Sequence, residues 1–148
     1  MSESKSPWEV LAHRVKKDVD QCRRDWRAAQ ARADALTSSL TRIEAMIKEY
    51  EQDLVTPREA GHSMCDELNT RRFLEQVRAL HSRTQADKRH ADQVCCAAAT
   101  ALSEQERERL KVNILIDTER KNNRRRSEIR EQKNSDEWAL IRYRWRDS

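Results

Sequence analysis

Apolar side chains recur along the first third of the chain in steps of four and three. Starting at Trp8 the series runs through Ala12, Val15, Val19, Cys22, Trp26, Ala29, Ala33, Leu36, Leu40, Ile43, Ile47, Tyr50 and Leu54. Every position is apolar or aromatic, and the residues between them are mostly polar or small. A seam that repeats every 3.5 residues specifies a helix that supercoils left-handedly against a partner. At 1.5 Å per residue such a helix runs roughly 70 Å. Ser6 before Pro7 is a suitable cap, because a hydroxyl can accept from the first free amides and proline fits the first helical position.

The pattern stops in the stretch Val55 to Met64, VTPREAGHSM, which holds Pro57 and the single glycine, Gly61. Proline removes a backbone donor, and glycine tolerates positive φ. This stretch is the predicted turn, placed at about residues 55–65, between a helix over about 7–54 and another over about 66–145. From Asp66 to the end there is no Gly or Pro. A second frame can be drawn through Phe73, Val77, Leu80, Thr84, Asp87, Ala91, Val94, Ala98 and Ala101. It continues less regularly through Val112, Leu115, Ile129, Leu140 and Tyr143, with polar residues entering at Gln105, Glu108, Glu119, Asn122, Arg126, Lys133 and Asp136. The sequence therefore predicts an all-α fold: one domain made of a long antiparallel two-helix coiled-coil hairpin, its second helix longer than its first. Folding back about residue 60 would set Trp8 near Val112. About 30 residues of the second helix would then lie beyond the end of the first.

Composition narrows the alternatives. Of 148 residues, 38% are charged and seven are aromatic, which is too little apolar material for a globular core of that size. The abundance of Ala, Arg, Glu, Gln, Lys and Leu favours helix over disorder. The net charge of +4 comes from interleaved charges of both signs, as on a solvated helix surface. No apolar run approaches the length of a membrane span, and residues 1–7 lack the apolar stretch of a secretion signal, so a cytoplasmic setting is expected. Cys22, Cys65, Cys95 and Cys96 have no zinc-finger or CxxC spacing and read as reduced thiols. The four histidines show no ligand spacing, and no phosphate loop or nucleophile motif is present, so neither a metal, a cofactor nor an enzymatic activity is expected.

Two segments of the second helix carry candidate binding chemistry. Residues 120–133, RKNNRRRSEIREQK, hold Arg120, Lys121, Arg124, Arg125, Arg126, Arg130 and Lys133 against Glu128 and Glu131. Such a face can be simply solvated, can neutralise phosphates, or can meet an acidic protein surface, where the arginine fork suits carboxylates. The absence of interleaved aromatics argues against nucleic acid. The tail, DEWALIRYRWRDS, concentrates Trp138, Leu140, Ile141, Tyr143 and Trp145, either as interface anchors or as a segment folded back near Trp8 and Leu11.

Three segments resemble the flagellar type III export protein FliJ family, whose injectisome relatives are the YscO-like proteins. Ala35 to Leu54 is similar to the end of that family's first helix. Arg72 to Leu80, RFLEQVRAL, is similar to the start of its second. Arg130, Glu131, Gln132, Lys133, Asp136 and Glu137 match its C-terminal REQK…DE run. The likeness covers nearly the whole chain. It implies a central stalk that binds the export ATPase hexamer and contacts the cytoplasmic domain of the membrane export gate and the export chaperones. The protein would then be peripherally associated with the inner-membrane export apparatus. By the same resemblance, the ATPase would be met by Arg120, Lys121, Arg124–Arg126, Arg130, Glu131, Gln132, Lys133, Asp136 and Glu137. The gate would be met by Phe73, Val77, Leu80 and Thr84, which the periodicity reads equally as core facing the first helix. An injectisome stalk and a generic coiled-coil adaptor are the alternatives.

Overall fold

The computed structural model describes residues 6–55 and 64–147, and these form two helices and no strand. Helix α1 spans Pro7–Val55 and α2 spans Met64–Arg146, 49 and 83 residues respectively. They pair as a hairpin, the second longer than the first. The predicted turn, with Pro57 and Gly61, lies outside the described residues. At the start of α1 the amide of Glu9 donates to the Ser6 carbonyl at 3.0 Å and to its Oγ at 3.3 Å, so Ser6 caps the helix. Arg144 and Arg146 occupy the last turn of α2, where cations complement the helix dipole.

The chain divides into two compact units. One comprises residues 1–19 with 105–148, the other residues 20–104. In the first, Trp8, Ala12, Val15 and Val19 line the inner face of α1, with Val15 and Val19 at 8% and 0% exposure. The covered positions of α2 there are Gln105, Arg109, Val112 and Ile116. In the second unit the inner face of α1 runs from Cys22 to Leu54, and all of its seam positions are buried or half-buried. The seam of the first helix thus follows the heptad pattern without a break.

The seam of α2 departs from the sequence frame. In the second unit its covered seam positions are Thr70, Leu74, Val77, His81, Thr84, Lys88, Ala91, Cys95, Ala98 and Leu102, with Gln85 half-buried beside them. Val77, Thr84, Ala91 and Ala98 belong to both frames. The alternate positions are shifted by one residue: Leu74 replaces Phe73, His81 replaces Leu80, Lys88 replaces Asp87, Cys95 replaces Val94 and Leu102 replaces Ala101. Phe73, Leu80 and Val94 are 41%, 49% and 45% exposed, against 4% for Leu74. No further shift occurs between Leu102 and Leu110. The same steps continue through Gln105 and Arg109, and Leu110 faces outward.

Polar residues occupy this inner face because each has an outlet. The buried Thr84 hydroxyl donates to the Leu80 carbonyl one turn back, at 2.8 Å. His81 Nε2 reaches Glu44 Oε1 of α1 at 3.2 Å. Lys88 lays its stem along the seam and brings Nζ to Asp92 at 3.4 Å. Cys22 and Cys95 are half-buried, Cys65 and Cys96 exposed, and all four are free thiols.

The inter-helix partners set the register. Tyr50 meets Phe73 with ring centroids 4.9 Å apart, Glu44 meets His81, and Glu51 meets Arg78 at 2.8 Å. Folding about residue 60 would have assigned residues 70, 76 and 69. The partners therefore lie three to nine residues further along α2, and cover on α2 extends to Ile116 rather than to Val112.

The two frames differ in what they predict for two leucines of identical chemistry. Leu74→Ala is expected to destabilise the hairpin by about 2–3 kcal/mol, and Leu80→Ala by less than about 1 kcal/mol, measured by urea unfolding followed by circular dichroism. The reverse order would reinstate the sequence frame.

Candidate functional site: an exposed basic helix end and an apolar edge

Beyond Ile116 every residue from 117 to 147 is exposed. Continuing the seam by the same steps reaches Glu119, Asn123, Arg126, Arg130, Lys133 and Glu137. A second helix packed there would set its apolar seam against three successive cations, so the extension is unsuited to an ordinary coiled-coil partner. Arg120, Lys121, Arg124, Arg125, Arg126, Arg130 and Lys133 are all exposed. Among the described residues none of these seven cations forms an ion pair within 4.0 Å. Glu131, Gln132, Asp136 and Glu137 lie on the same stretch and are exposed as well.

The tail does not fold back on the start of α1. Trp138, Leu140, Tyr143 and Trp145 are 62–79% exposed and Ile141 is 49% exposed. Interface anchors are thus the reading of the tail that its exposure supports.

The second candidate surface lies in the unit of residues 20–104. Glu44 and Glu51 run along one edge of the helix pair, where Arg78 meets Glu51. Both side chains of that pair are about half exposed, and such a bridge contributes at most about 1 kcal/mol. The other edge carries Met46 of α1 and Phe73 and Leu80 of α2, at 40%, 41% and 49% exposure. Phe73 rests on the half-buried Tyr50 ring. The sequence-predicted stripe of Phe73, Val77, Leu80 and Thr84 is therefore split. Phe73 and Leu80 are on this open edge, while Val77 and Thr84, 5% and 8% exposed, hold the hairpin together. Met46 was not singled out from the sequence. Its signal was its place one residue before the seam residue Ile47, the same offset that Phe73 and Leu80 have from Leu74 and His81.

Among the described residues no three His, Cys, Asp or Glu side chains converge as metal ligands, and no helix is long and apolar enough to cross a membrane. The family description "Flagellar FliJ protein" matches residues 5–148. The chain belongs to the FliJ family. Its role lies in flagellar protein export, as a member of a family of non-catalytic export components. No curated protein and no solved structure matches the chain.

For this FliJ-family hairpin, removal of residues 117–148 takes away no side chain that is buried among the described residues. Unfolding free energy is expected to change by less than about 1 kcal/mol, while the helical signal falls roughly in proportion to the residues lost. A large loss of stability in urea would mean that the tail supports the hairpin.

Proposed function

We propose that the chain is the central stalk of the flagellar export ATPase. Its cationic helix end enters the acidic interior of the ATPase hexamer, and it links that ring to the export gate and the export chaperones. The observation that carries this reading is the run of residues 117–147, exposed throughout, in which the extended seam turns to Arg126, Arg130 and Lys133. A stalk must be longer than its own hairpin requires, and α2 exceeds α1 by 34 residues. Membership of the FliJ family supports the same assignment. In this role the protein has no catalysis of its own, works in the cytoplasm and is held peripherally at the inner-membrane export apparatus. Complementary charge would steer the helix end into the ring and orient it, with a strong dependence on ionic strength.

The edge formed by Met46, Phe73 and Leu80 is the proposed contact for the cytoplasmic domain of the gate. Val77 and Thr84 act there indirectly, by holding α2 in register. Contact with export chaperones rests on family membership.

ATP hydrolysis by the export ATPase of the same organism should rise on addition of the protein. Arg124→Glu, Arg125→Glu and Arg126→Glu together should abolish that rise without altering the unfolding midpoint; full stimulation by the triple variant would remove the basic segment from the contact. Phe73→Ala with Leu80→Ala should weaken binding to the isolated gate domain at least about tenfold while leaving ATPase stimulation intact. Unchanged gate affinity in a titration would rule out the edge.

A further inference from the structure

Helix α2 carries two apolar seams where α1 carries one. In the unit of residues 20–104, the residues just before the α1 seam positions Trp26, Ala33, Leu40, Ile47 and Leu54 are Asp25, Arg32, Ser39, Met46 and Asp53. Only Met46 among them is apolar, so α1 has no second set to turn inward. The corresponding residues of α2, one before Leu74, His81, Lys88, Cys95 and Leu102, are Phe73, Leu80, Asp87, Val94 and Ala101. Four of these five are apolar, and all five are exposed. Both sets share Val77, Thr84, Ala91 and Ala98. Neighbouring residues stand about 100° apart on a helix, so two seams with these positions in common are centred about 50° apart.

The two seams are close in what they would bury. Bringing the second set inward exchanges Leu74 for Phe73, His81 for Leu80 and Cys95 for Val94, each a gain in apolar area. It exchanges Leu102 for Ala101, a loss. The remaining exchange is Lys88 for Asp87, and it decides the balance. The half-buried Lys88 carries its charge out along a long stem, with Nζ 3.4 Å from Asp92. Asp87 has a single methylene and would hold its carboxylate among seam side chains, at the cost of desolvating a charge. Phe73 already rests on the seam residue Tyr50, ring centroids 4.9 Å apart, so a turn of the helix would start from an existing contact. Packed interfaces that offer two such arrangements switch between them rather than deform continuously.

We propose that α2 in this unit is a two-register element. A turn of about 50° about its own axis draws Phe73 and Leu80 off the open edge and into the seam, while His81, Lys88 and Cys95 come out. Asp87 keeps the observed register dominant. A partner that grips Phe73 and Leu80 binds only this register and therefore holds α2 in it. The inference does not depend on which partner that is.

The test uses the full chain and its own thiols. Cys65→Ser and Cys96→Ser remove the two exposed cysteines and leave Cys22 and Cys95, both half-buried. Cys22 lies on the α1 seam and stays covered in either register, whereas Cys95 is covered only in the observed one. Alkylation by N-ethylmaleimide is followed at each site by mass spectrometry. Asp87→Leu, at an exposed position, should keep the parent's circular dichroism, raise the Cys95 rate about threefold or more and leave the Cys22 rate unchanged. In the same background Ala101→Cys places a thiol on the second seam, and Asp87→Leu should slow its alkylation. Lys88→Leu, which strengthens the observed seam, should not raise the Cys95 rate. Unchanged rates at Cys95 and at position 101 would overturn the proposal and leave a single register. A rise at Cys22 and Cys95 together would also overturn it, because the hairpin would then be opening rather than turning. So would a faster Cys95 with no slowing at position 101, or an equal rise at Cys95 in Lys88→Leu.

Discussion

An apolar seam can shield only as much of a partner helix as its own length reaches. The inner face of α1, continuous from Trp8 to Leu54, is what turns this highly charged chain into a folded one, and its length decides where cover on α2 ends. Past Ile116 no seam remains to bury anything. The chain there remains helical with cations at the positions where a coiled coil would place leucines. The exposed basic end follows from the mismatch of the two helices together with that change of residue type.

The two inner faces are unequal. That of α1 is wholly apolar, whereas α2 contributes Thr70, His81, Thr84, Lys88, Gln105 and Arg109 to the same layers. Each polar residue lowers the apolar area that a layer can bury, so the hairpin is held mainly by one helix's seam. The arrangement is tolerable because a threonine bonds its own preceding turn, and long cations reach solvent from a two-helix seam. It also frees larger residues for the outside. Phe73 and Leu80 stand on an open edge beside Met46 while Leu74 and His81 face α1. Two large hydrophobes of α2, Phe73 and Leu80, are thus on a surface that a partner can reach.

The overhang combines two kinds of recognition in one helix. Its first half is cationic and nearly free of apolar residues, suited to long-range attraction. Its last nine residues combine aromatics with arginine, the composition of contacts that hold once water is excluded.

By itself the sequence determined the all-α class, the unbroken seam of α1, the capping by Ser6, the greater length of α2 and the basic run at 120–133. Each of these depends on residue type and spacing within one helix, so periodicity alone can read it. The register of α2 was not legible. Phe73, Leu80 and Val94 compete with Leu74, His81 and Cys95 for the inner face, and hydropathy favours the wrong set. That choice is made by contact with α1: Tyr50 against Phe73, Glu44 against His81 and Glu51 against Arg78 fix which side of α2 turns inward. The edge patch with Met46 and the exposure of the tail were decided at the same level. Both depend on which residues of one helix lie beside or beyond the other, a relation between distant parts of the chain that no local pattern carries.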